Sequence, residues 1–90
     1  MKIKEGFILR EVAHQFVVVP VGETALNFNG VISLNGTGAF LWKQLEKGIQ
    51  PATLVRHLCD RYAVSTEKAQ QDVEAFLAKM KEKHLLADHD

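Results

Sequence analysis

The spacing of hydrophobic residues changes partway along the chain. From residue 7 to residue 34, apolar residues occur in short runs rich in valine and isoleucine, a composition typical of β-strands. From residue 35 onwards they recur every three or four positions, the spacing of amphipathic helices. Strands followed by helices predict an α+β fold, with the junction at residues 31–42.

Three strands are predicted in the first half. The run at residues 7–12 alternates between its two faces, as a partly covered strand does. Ala13–His14 forms a tight connection to a second strand at residues 16–19, which ends at Pro20 because proline lacks an N–H. This second strand is apolar on both faces, so we expect it to be central or covered. The third strand is residues 31–34.

The connection between the second and third strands is open to more than one interpretation. Residues 22–30 form a loop or a distorted hairpin, in which Asn29–Gly30 suits a type I′ turn. The segment either pairs as an extra strand or covers a sheet edge. One sheet face of residues 16–21 is too apolar to be left bare, and we expect it to be covered by this segment, by a second copy of the chain, or by a partner enzyme.

Three helices are predicted in the second half. Asn35 caps the first helix and Gly48 ends it. Pro51 suits the first position of the second helix, and Ser65 caps the third. The expected buried stripes of the second and third helices are Leu54, Val55, Leu58, Cys59, Tyr62, Ala69, Val73, Phe76, Leu77 and Met80.

Length and charge limit the classes of function. A chain of 90 residues predicts one domain, residues 1–90, with a modest core and no deep active-site cleft. Lysine plus arginine equals aspartate plus glutamate, 11 each, so the chain has no general attraction for nucleic acid or anionic membranes. A single cysteine and the lack of a signal peptide or membrane span predict a cytoplasmic protein.

The side chains that could perform catalysis are few. Cys59 lies on an apolar helical face without a nearby base, which favours a structural thiol over a nucleophile. The four histidines show no metal-ligand spacing. Gly36 and Gly38 at a helix start are explained by capping better than by phosphate binding. We therefore predict a protein that is not an enzyme, with no metal and no cofactor.

A DNA-binding domain is the alternative function. Two helices joined by residues 63–65, after a small sheet, suggest a helix-turn-helix of the winged-helix type. The third helix would then read DNA, but it presents Asp72 and Glu74, which repel phosphates. The lack of a basic stripe makes this alternative the weaker of the two.

The order of elements and several short phrases resemble a known family. The phrases are Leu34-Asn35, Gly38 to Trp42, Leu45, Gly48, Leu54 to Leu58, Tyr62, Asp72-Val73, Phe76-Leu77 and Leu85-Leu86. Together they resemble the PqqD-like family, typified by protein D of pyrroloquinoline quinone biosynthesis. The resemblance covers roughly residues 7 to 86 and consists of hydrophobic pattern and turn residues.

This resemblance implies both a fold and a function. The implied fold is winged-helix-like, with three antiparallel strands followed by three helices. The implied function is recognition of the leader of a ribosomally made precursor peptide, which is presented to a radical S-adenosylmethionine enzyme. The leader would pair with an open strand edge as an added strand. The implied peptide-binding residues are Val31, Ile32, Ser33, Leu34, Asp72, Phe76 and Lys79.

Overall fold

The computed structural model of the protein describes residues 1–28 and 30–87. Its elements are β1 (Phe7–Val12), β2 (Gln15–Pro20), α1 (Thr24–Asn27), β3 (Ile32–Leu34), α2 (Gly36–Glu46), α3 (Pro51–Tyr62) and α4 (Thr66–Glu82). The strands form one antiparallel sheet in the order β1-β2-β3. The predicted α+β class is confirmed, and β2 is the central strand.

A two-residue turn determines the register of the β1–β2 hairpin. Ala13 and His14 both have left-handed backbone conformations, with φ of 51° and 67°, as a type I′ turn requires. The turn pairs Val12 with Gln15, and the register continues to Phe7 opposite Pro20. The predicted tight connection is confirmed.

β3 is short and pairs only with the first part of β2. Phe16, Val17 and Val18 lie opposite Leu34, Ser33 and Ile32. Pro20 lies beyond this pairing, so its missing N–H removes no bond to β3. Val31, predicted as the first residue of the strand, precedes β3 and is 59% exposed.

Side chains at the helix starts satisfy backbone N–H groups as the sequence predicts. The Asn35 side-chain oxygen accepts from the Gly38 N–H at 2.7 Å, and Ser65 Oγ accepts from the Lys68 N–H at 3.1 Å. Pro51 is the first residue of α3. Gly48, with φ of 82°, follows the end of α2 and permits the left-handed turn there.

The core lies between the inner face of the sheet and the three long helices. Val18, Ile32 and Leu34 contribute from the sheet. The largest fully buried side chains are Trp42, Leu41, Leu45, Leu54, Leu58, Met80, Leu85, Val18 and Val73. Most of the predicted helix stripes are buried, but Tyr62 is 38% exposed. Tyr62 is the last residue of α3, where the helix leaves the core.

Residues 24–27 form the short helix α1, which the sequence pattern did not predict. Thr24 lies against Gly6, where any Cβ would collide with the Thr24 side chain. Phe28 packs edge-on against Phe7 with ring centroids 5.1 Å apart. Residues 24–28 therefore form no added strand, and they pack at the start of β1 rather than over β3. The predicted Asn29–Gly30 turn includes Asn29, which lies outside the described residues.

The N-terminal arm, residues 1–4, joins the two ends of the chain. The Lys4 N–H donates to the Leu85 carbonyl at 2.8 Å, and the Ala87 N–H donates to the Lys2 carbonyl at 2.9 Å. Ile3 is 6% exposed and forms a bridge with Leu86. Burial of the arm adds apolar area to a small core.

Candidate functional site

The outer edge of β3 is the open edge of the sheet beside the helices. In an antiparallel hairpin closed by Val12 and Gln15, the N–H and C=O groups of β2 residues point alternately to β1 and β3. The backbone groups of Phe16 and Val18 then point to β3, where they form hydrogen bonds with the backbones of Leu34 and Ile32. The N–H and C=O of Ser33 must therefore point away from β2, towards the open edge.

A contact from α4 supports this orientation. The ammonium group of Lys79 donates to the Ser33 carbonyl oxygen at 3.4 Å. This contact from the open side fits a Ser33 carbonyl oxygen that points away from β2. The edge thus offers one N–H at Ser33 and one carbonyl that is held only by a long bond to a flexible side chain.

A groove of about 610 Å³ runs between this edge and α4. Its floor is apolar and comes from three helices as well as from β3. The lining residues are Ser33, Leu34, Asn35, Thr37, Gly38, Leu41, Leu58, Tyr62, Val64, Lys68, Asp72, Ala75, Phe76 and Lys79. An apolar floor bounded by a few polar groups is the usual composition of a binding site.

α4 forms one wall of the groove with residues at helical spacing. Lys68, Asp72, Ala75, Phe76 and Lys79 line the groove and recur every three or four residues, so they lie on one side of the helix. The Lys68 ammonium bonds the Asp72 carboxylate at 2.8 Å. Lys79 lies eleven positions after Lys68, which gives the wall a length of about 16 Å.

Tyr62 forms part of the opposite side. Its ring packs edge-on against Phe40, with centroids 5.9 Å apart, and its O–H donates to the Gly36 carbonyl at 3.5 Å. The Arg61 guanidinium lies 5.0 Å from the centroid of the Tyr62 ring. These contacts hold an aromatic side chain at the groove in a defined orientation.

The structure brings together most of the predicted site residues. Ser33, Leu34, Asp72, Phe76 and Lys79 line the groove. The two others, Val31 and Ile32, do not line it. Ile32 is only 5% exposed and belongs to the core, and Val31 lies ahead of the strand.

Sequence reasoning missed the contributions of α2 and α3 to the groove. Leu41 and Leu58 form part of the floor, and each has the pattern of an ordinary core residue. Lys68 was missed as well, although its position four residues before Asp72 predicts an ion pair on the same helix face. That spacing was the signal that could have identified it.

Two of the side chains considered for catalysis, Cys59 and His57, lie apart from the groove. Cys59 is partly buried against the core, and His57 Nδ1 lies 2.9 Å from Gln44 Oε1. Neither lines the groove. In the described part of the chain, no three histidine, cysteine, aspartate or glutamate side chains are grouped as a metal site requires. Within residues 1–28 and 30–87, no helix is both long and apolar enough to cross a membrane.

Two solved structures share this fold. A structure of TbiB1 in complex with the TbiA(beta) leader peptide has a TM-score of 0.76 and 23% sequence identity, and the match covers 100% of this chain and 99% of that one. A structure of lasso peptide synthetase B1 complexed with the leader peptide has a TM-score of 0.73 and 20% identity, and the match covers 93% of each chain. No curated protein matches the sequence.

A family model gives the assignment that structural likeness alone does not. The model of coenzyme PQQ synthesis protein D matches residues 9–86 of the chain. This range contains all four helices, the complete groove lining, and all three strands except for the first two residues of β1. The protein therefore belongs to the PqqD family.

Proposed function

We propose that this protein is a peptide-binding module that holds the leader of a ribosomally made precursor peptide and presents it to a modifying enzyme. The observation that carries this proposal is the open backbone of Ser33 beside an apolar groove. Backbone groups of an edge strand bind an extended peptide regardless of its sequence, and the adjacent groove selects its side chains. The two neighbours solved with leader peptides support this choice of ligand.

The dimensions of the groove fit an extended segment of a few residues. A β-strand rises about 3.3 Å per residue, so a wall of about 16 Å accommodates roughly five residues. Alternate side chains of such a strand would face α4 and enter the groove between Leu34 and Phe76. The intervening side chains would lie on the outer sheet face, beside Val17 and Ser33.

The proposed peptide-binding residues are those of the edge and of the groove wall. Ser33 supplies the backbone pairing, Leu34 and Phe76 the apolar contact, and Asp72 and Lys79 the polar contacts. Val31 and Ile32 would contribute through the position of the backbone rather than through side chains in the groove. The proposal treats residues 1–90 as one domain, which the bridge between Ile3 and Leu86 supports.

The module would bind without turnover and would need an enzyme as its partner. We propose a radical S-adenosylmethionine enzyme in the cytoplasm, the kind of partner and the compartment expected from the sequence. Val12 at the end of β1 and Val31 just before β3 are 58% and 59% exposed. These apolar side chains are available for contact with such an enzyme or with a second copy of the chain.

Fluorescence anisotropy tests the proposed ligand. Inspection of the neighbouring genes supplies candidate precursor peptides. The labelled leader of the cognate precursor should bind the chain, and the core segment of the same precursor should bind much more weakly. The competing DNA-binding function predicts affinity for a labelled duplex that falls steeply with added salt. Tight duplex binding at physiological salt, with no leader binding, would overturn the proposal.

A further inference from the structure

Lys79 contacts the carbonyl oxygen with which an incoming strand would pair. Its ammonium group donates to the Ser33 oxygen at 3.4 Å and is exposed to solvent. A strand that pairs with this edge must donate its own N–H to the same oxygen. A carbonyl oxygen accepts up to two hydrogen bonds, so Lys79 either shares this oxygen with the peptide N–H or is displaced from it. In both cases its charge stays at the rim of the groove, facing the peptide.

Among the described residues, the groove lining supplies no unpaired acidic side chain for the Lys79 ammonium. Three charged side chains line the groove, and two of them, Lys68 and Asp72, already form an ion pair with each other at 2.8 Å. Among the described residues Lys79 forms no ion pair, and Glu82, three positions further along α4, forms none with it. The groove thus carries one positive charge that its own residues do not neutralise.

We infer that the bound peptide segment carries an aspartate or glutamate whose side chain faces Lys79, two positions from a large apolar residue. This inference rests on the proposed function. Peptide positions that face α4 flank the residue opposite Ser33, and side chains on one face of a strand are two residues apart. The peptide residues on either side of the one opposite Ser33 therefore both face α4. One of them lies over Leu34 and Phe76. The other lies two positions away along the peptide, within reach of Lys79.

The same lysine has a second role when no peptide is present. A charged side chain at an open sheet edge prevents pairing with the edges of other molecules. Lys79 donates to the Ser33 carbonyl in the free chain, and the acid of the correct peptide forms an ion pair with its ammonium in the complex. A peptide without the acid lies beside the Lys79 ammonium and gains no ion pair with it, so the contact discriminates between segments.

Selection from a library of random 12-residue peptides tests the inference. The wild-type chain should enrich sequences with an acid two positions from a large apolar residue. Lys79→Glu should enrich lysine or arginine at that position. Lys81→Glu, which changes the same charge on α4 outside the groove lining, should give the wild-type preference. Replacing the acid of a selected peptide with its amide should weaken binding to the wild-type chain two- to fivefold, and leave binding to Lys79→Met unchanged.

The possible failures are distinguishable. Two results would overturn this inference and leave the proposed function intact, provided that the enriched peptides lose binding when Ser33 is replaced by proline. The first is that the enriched peptides show no preference for an acid. The second is that Lys79→Glu selects the same acid as the wild-type chain. Peptides that still bind the Ser33→Pro variant, or a library from which nothing is enriched, would overturn the proposed function as well.

Discussion

Replacing Ser33 with proline separates peptide binding from folding. The Ser33 N–H points to the open edge, so the substitution removes no hydrogen bond between β2 and β3. Proline is tolerated at edge positions whose N–H faces solvent, and we expect the free energy of unfolding to fall by less than about 1 kcal/mol. A peptide strand, in contrast, loses its bond to this N–H and also meets the proline ring.

The expected loss of affinity follows from the hydrogen bond. A peptide carbonyl left without a donor in a largely dehydrated interface costs about 1–3 kcal/mol. A loss of about 2 kcal/mol corresponds to binding that is roughly 30-fold weaker. Anisotropy with a labelled leader, together with a urea unfolding curve for each variant, measures the two effects independently.

The other edge of the sheet provides a matched control. Glu11 lies on β1 opposite Phe16, and its N–H also points away from β2. Glu11→Pro therefore removes an outward N–H of the same kind at the edge far from α4, and it should leave affinity unchanged. Affinity within about threefold of wild type for Ser33→Pro, or an equal loss for Glu11→Pro, would refute the reasoning.

Four further substitutions test the groove wall and the backbone. Phe76→Leu should lower both stability, by about 1 kcal/mol, and peptide affinity, whereas Val73→Ala, buried on α4 outside the groove, should lower stability alone. Asn35→Ala should lower the free energy of unfolding by about 1 kcal/mol in urea because the Gly38 N–H loses its cap. Ala63→Gly should raise that free energy by about 1 kcal/mol because φ at this position is 53°. The assigned roles would be contradicted by an unchanged peptide affinity for Phe76→Leu, by an unchanged free energy of unfolding for Asn35→Ala, or by a lower one for Ala63→Gly.

Local signals made most of the fold predictable. The Ala13–His14 turn, the asparagine at position 35 and the serine at position 65 act on backbone groups within four residues, so their effects can be inferred from the sequence alone. The alternation in β1 and the helical spacing in α4 are likewise local. These features were sufficient for the first two strands and for the three long helices. They left open whether β2 is central in the sheet or covered by another element, and the structure shows that it is central.

The elements that sequence reasoning missed depend on contacts between distant residues. Ile3 is buried because the N-terminal arm bridges to Leu86, 83 positions away along the chain. α1 has no apolar stripe, since Leu26 is 83% exposed, and it is held through Phe28 and Thr24 instead. The groove floor was missed for the same reason, because its side chains come from separate helices.

Amide hydrogen exchange at Ser33 tests the central claim most directly. In the free chain the Ser33 N–H should exchange rapidly, while those of Ile32 and Leu34, bonded to β2, should be protected. Saturating leader peptide should slow exchange at Ser33 and shift the amide resonances of Asp72 to Lys79, without slowing exchange at Glu11. Unchanged exchange at Ser33, with the shifts confined to β1 or to the outer side of α3, would contradict strand addition at this edge.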